Sequence, residues 1–74
     1  MSEDTKTTPE KLPDWKQRVL DEKSQLDERR EKLTTFLNSE QVTEITADEV
    51  DRMQRQLDCM NAYSGILQER IDAW

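Results

Sequence analysis

The chain is 74 residues long, with 32% apolar and 38% charged residues and a formal net charge of −6. That length allows one domain and excludes a large core; chains this small rarely store more than about 3–5 kcal/mol without disulfides, a metal or self-assembly. One cysteine and no histidine exclude an intramolecular disulfide and a zinc cluster, and leave assembly as the remaining source of stability. The negative charge disfavours double-stranded nucleic acid and anionic membrane surfaces. No stretch approaches 18 apolar residues, so no membrane span is expected. The acids and threonines of the N-terminus do not read as a secretory signal.

Residues 1–11 contain no large apolar group after Met1, and residues 1–12 read as a flexible arm. Residues 13–74 form the helical unit. A first helix is expected over 14–37, rich in Lys, Arg, Glu, Gln and Leu and free of Gly and Pro. Two starts fit it: Asp14 as N-cap, or Pro13 at the first helical position. Val19, Leu26 and Leu33 form one half of a heptad seam, and Trp15, Glu22, Arg29 and Phe36 the other. Glu22 and Arg29 thus occupy positions where apolar groups are expected.

Residues 38–46 form the connection. Thr46-Ala-Asp-Glu49 is a capping box, and Ile45 with Val50 fits a hydrophobic staple. A second helix follows over 47–73. Val50, Met53, Leu57, Met60, Ser64, Leu67, Ile71 and Trp74 recur at steps of three and four, a stripe broken only by Ser64. The fold class is therefore all-α: an antiparallel two-helix hairpin assembling into a homo-oligomeric bundle. Its seam comprises Trp15, Val19, Leu26, Leu33, Phe36, Met53, Leu57, Met60, Leu67, Ile71 and Trp74.

Counting outward from the connection sets Leu26 level with Leu57 and Met60, Val19 with Leu67, Trp15 with Ile71 and Trp74, and Glu22 with Tyr63 and Ser64. Arg18, Glu22, Tyr63, Ser64 and Arg70 then form a polar cluster, with Lys23 and Arg29 nearby. One reading is a ligand pocket between subunits: arginine forks grip phosphate, tyrosine stacks on a base and serine adds a hydroxyl. The other is an ion pair of Glu22 with Arg70 or Arg18 that fixes helix register. Gly65, costly inside a helix, points to close helix crossing. Cys59 beside Ile66 reads as a packing residue, and the two tryptophans as burying each other in the oligomer.

Without histidine, a Gly-rich phosphate loop or a metal-ligand set, no catalytic site and no cofactor is expected. The stretches Trp15-Lys-Gln-Arg-Val19, Glu22, Leu26, Lys32-Leu-x-x-Phe36-Leu37, Gln56-Leu-x-x-Met60 and Tyr63-Ser-x-x-Leu67-x-x-Arg70-Ile71 resemble a family of very small helical-hairpin proteins of tailed phages and prophages. In size and design that family resembles phage anti-CBASS sponges, homo-oligomers (often hexamers) that sequester cyclic di- and trinucleotides without cleaving them. It also resembles sponges for cyclic ADP-ribose-type signals of the Thoeris system. The resemblance implies an oligomeric nucleotide-binding anti-defence protein acting in the host bacterial cytoplasm. Two rival classes remain: an acidic inhibitor that binds a host defence protein directly, and a structural coiled coil without a ligand.

Overall fold

A computed structural model describes residues 12–74. The expected arm therefore lies, except for Leu12, outside the described residues. The chain forms helix α1 (Asp14–Leu37), a short 3-10 turn (Glu40–Glu44) and helix α2 (Ala47–Asp72). The two α-helices pack along each other as a hairpin.

The helix begins at Asp14 as expected, but Pro13 is itself its N-cap, so neither expected cap is met. Its carbonyl accepts from the amides of Lys16 (3.0 Å) and Gln17 (3.1 Å). Proline suits the place because its fixed φ precedes the helix and its missing N–H is not needed there. Asp14 instead sits in the first turn, where the helix dipole favours a carboxylate. At the other end, the Ser39 amide (3.0 Å) and hydroxyl (2.7 Å) both donate to the Phe36 carbonyl and close α1. The α2 start is the expected one in half: the Thr46 hydroxyl accepts from the Glu49 amide at 3.1 Å. The Glu49 carboxylate, however, accepts from Arg52 Nε at 2.9 Å.

Val19, Leu26 and Leu67 form the core cluster, with Met60 and Ile71 packed against it. Leu67 is 1% exposed, the most deeply buried side chain. Leu57 is also buried but lies outside this cluster. Leu33, Phe36, Leu37, Val42, Ile45, Val50 and Met53 are half-buried at the connection end. Of the α2 stripe, Leu57, Ser64 and Leu67 are buried within the hairpin, and Trp74 stays exposed.

The register differs from outward counting. Trp15 beside Trp74 stands as counted, and Val19 and Leu67 share the core cluster. Ser64, however, meets Asp27 rather than Glu22, about one and a half helical turns closer to the connection. Arg30 likewise meets Asn61. The cause is the connection: the 3-10 turn packs against α1, so the first turn of α2 stands beyond the end of α1.

Two further expectations are not met within the single hairpin. Cys59 is exposed, not packed, and Ile66 is 55% exposed. At about 100° per residue both lie roughly a third of the way round α2 from the buried line through Leu57, Ser64 and Leu67. Gly65 is exposed too, and a Cβ there would meet nothing within 4 Å. No helix crosses closely at Gly65 within the hairpin.

Candidate ligand-binding face

The expected cluster is divided by the fold. Ser64 is 4% exposed and turns its hydroxyl into the helix interface. It donates to Asp27 Oδ1 at 2.6 Å and accepts from Arg30 Nη1 at 3.2 Å. Lys23 Nζ reaches Asp27 Oδ2 at 2.6 Å, and Arg30 Nη1 reaches Asp27 Oδ1 at 2.6 Å. Arg30 Nε also donates to Asn61 Oδ1 at 2.8 Å. These hydrogen bonds, the one from Lys23 first and that from Ser64 next, hold the Asp27 carboxyl well below the usual carboxylate range.

Lys23, Asp27, Arg30 and Asn61 were not part of the expected site. Their signal in the sequence is one acid bracketed by bases at i−4 and i+3 on α1, a spacing that brings all three together. Every group of this network has a protein partner, so it fixes register. Beside it an open groove of about 590 Å³ runs along α1, lined by Ser24, Asp27, Glu28, Arg30, Glu31, Thr34 and Thr35. Its three carboxylates against one guanidinium repel an anion.

Arg18, Glu22, Tyr63 and Arg70 are exposed and lie on the other side of the hairpin. Trp15, Arg18, Glu22, Arg29 and Phe36 follow at steps of three, four and seven along α1; Tyr63 and Arg70 are seven apart on α2, and Trp74 follows four residues on, just past its end. The Trp15–Trp74 contact joins the two rows at the open end, with ring centroids 5.8 Å apart and planes at 84°. The Asp27–Ser64 and Arg30–Asn61 bonds mark the opposite side of the seam.

The tryptophans touch but are not buried, at 52% and 40% exposed. Lys16 Nζ lies 5.6 Å and 5.0 Å from their ring centroids, in cation–π range. Among the described residues, Arg18, Arg29 and Arg70 have no ion-pair partner, whereas Arg30, Arg52 and Arg55 are each paired. All three unpaired arginines belong to this aromatic side. The face therefore offers guanidinium forks and aromatic surfaces together, the groups that grip a phosphate and stack on a base. Among the described residues no group of His, Cys, Asp and Glu suits a metal ion. No helix there is long and apolar enough to cross a membrane.

A family model described as Sequestin matches residues 13–73. The chain belongs to the Sequestin family. The match takes in both helices and their connection, and every residue of the aromatic–arginine face except Trp74 falls inside the Sequestin span. No curated protein and no solved structure gives a significant match.

Proposed function

We propose that this Sequestin-family chain is a non-catalytic sequestering protein. It binds a cyclic di- or trinucleotide, or a cyclic ADP-ribose-type signal, and withholds it from a defence effector without cleaving it. The family's name supports sequestration as the mode of action. The observation that carries the ligand class is the gathering of Arg18, Arg29 and Arg70, unpaired among the described residues, on the side that exposes Trp15, Tyr63 and Trp74.

The physics favours a nucleotide over a simple anion. Arginine supplies paired donors matched to phosphate oxygens, and each stacked base adds about 1–3 kcal/mol. Withholding a signal needs tight binding and no nucleophile, which suits a chain without histidine. The net charge of −6 opposes an anion at long range, and the three arginines gathered on this face counter it locally. The face is open on one hairpin, and enclosure of a ligand requires a second copy. In this reading the protein is phage-encoded and acts in the cytoplasm of the infected bacterium, where such signals are made.

The test is thermal melting of the purified protein against cyclic di- and trinucleotides and cyclic ADP-ribose isomers. A ligand bound only by the folded state raises stability by RT ln(1 + [L]/Kd), about 2.7 kcal/mol at a hundredfold excess over Kd. One ligand should raise the melting temperature and be recovered intact on denaturation. No shift from any of them, or recovery of a cleaved product, sinks the reading.

A further inference from the structure

Helix α2 has a second apolar face that α1 does not touch. Cys59, Ala62, Tyr63, Ile66 and Ala73 are all exposed and share it. Ile66 at 55% and Tyr63 at 42% are among the four large apolar side chains left exposed on the described residues. The hairpin buries only four apolar side chains of its own, Val19, Leu26, Leu57 and Leu67. A core that small is seldom sufficient without assembly.

We infer that this face binds a second copy of the chain, with the two α2 helices antiparallel about a two-fold axis between Ala62 and Tyr63. Three rows with seven-residue spacing run along the face. The middle row is Arg52, Cys59, Ile66 and Ala73; one edge is Arg55, Ala62 and Glu69; the other is Gln56, Tyr63 and Arg70. An antiparallel two-fold pairing sets each edge against itself. Cys59 then stands at the height of Ile66 of the second copy, and Arg55 within one residue, about 1.5 Å, of the height of Glu69 of the second copy. The symmetry repeats both pairs, so two cation–carboxylate pairs flank one apolar strip.

That self-complementarity selects the occupant and its direction. Arg55 now reaches Asp51 at 3.0 Å, but both side chains are 68% exposed and free to exchange partners. A parallel copy would set equal residues at equal heights and gather Arg52 and Arg55 of both chains around Cys59. The small side chains at 59, 62 and 73 let the helices approach, and Ile66 supplies the apolar area. Tyr63 and Arg70 form the edge nearest α1, so the pairing also doubles both residues along one rim. The inference supplies the second copy that the sequestering reading requires, and its test reads mass without ligand, so the failure of one is distinguishable from the failure of the other.

The experiment is mass by sedimentation equilibrium, with no ligand present, on the full chain and three variants. The parent should have the mass of an even-numbered oligomer, and Ile66→Glu should halve it while helical circular dichroism is retained. Arg55→Glu should weaken association, and adding Glu69→Arg should restore it. In the inferred pair the two Cys59 residues lie about 10 Å apart along the axis, beyond the reach of a disulfide. Oxidation should therefore leave the parent uncrosslinked, while Ile66→Cys should give a covalent dimer through Cys59 of the second copy. A monomeric parent, an Ile66→Glu variant of unchanged mass, or crosslinking of the parent itself would overturn the inference.

Discussion

Ser64 is tied to Asp27 across the hairpin: its hydroxyl donates to Oδ1 at 2.6 Å, and Arg30 binds both. The one polar break in the α2 stripe is thereby turned into the mark that sets how the two helices slide. Removing the hydroxyl with Ser64→Ala should cost about 0.5–1.5 kcal/mol, the net worth of a hydrogen bond. Asp27→Ala should cost more, about 1–3 kcal/mol, because it leaves Ser64 and two cations without their acceptor. Urea denaturation of the two variants checks the order.

The same carboxylate gives the hairpin an acid limb. Asp27 is held ionised by Lys23, Ser64 and Arg30, so its pKa is lower folded than unfolded. The unfolded chain takes up the proton first, and the contribution is fully present above the ordinary carboxylate range, about pH 4. It fades as pH falls below that value, and Asp27→Asn should make stability less sensitive to acid. The Asp27 side chain is 35% exposed, so solvent screening keeps the effect modest. Thermal melts of parent and variant from neutral pH to about pH 2 would show the two curves converging.

Neighbouring positions 65 and 67 should respond in opposite senses. Leu67→Ala empties the best-buried site and should cost about 2–5 kcal/mol. Gly65→Ala adds a methyl that meets nothing within 4 Å, in an exposed helix interior, and should stabilise by about 0.5–1 kcal/mol. Loss of stability in the second variant would mean that another chain lies against Gly65.

Ligand binding should follow the unpaired arginines and ignore the paired ones. Arg18→Ala, Arg29→Ala and Arg70→Ala are each expected to weaken nucleotide binding by about 1.5–3 kcal/mol, the worth of a hydrogen bond to a charged group. Arg52→Ala, whose side chain pairs with Glu49, should bind as the parent does. Calorimetric titration of the four variants distinguishes a localised face from diffuse charge.

Helix type and ends were legible because they depend on local chemistry. Thr46 caps α2 as read, and α1 ends at Leu37 as expected. The slide between the helices was not legible, because it depends on the 3-10 form of residues 40–44. Nor was the partner of Ser64. A strict heptad puts Glu22 in the seam, but a straight helix drifts about 20° per heptad from a 3.5-residue repeat. The contact line on α1 accordingly runs from Val19 through Leu26 to Arg30 and brings Asp27, not Glu22, to Ser64. Arg18, Tyr63 and Arg70 were placed on one half of the hairpin by counting alone, and the described helices keep them exposed there.

The contact between Trp15 and Trp74 joins residues near opposite ends of the sequence, and these are the only two indoles in the chain. Crossed at 84° with centroids 5.8 Å apart, two such chromophores couple their excited states. The protein therefore carries its own optical gauge: near-ultraviolet dichroism and tryptophan emission read the closure of the hairpin's open end. If that end opens while the rest stays helical, the gauge moves before the far-ultraviolet signal does.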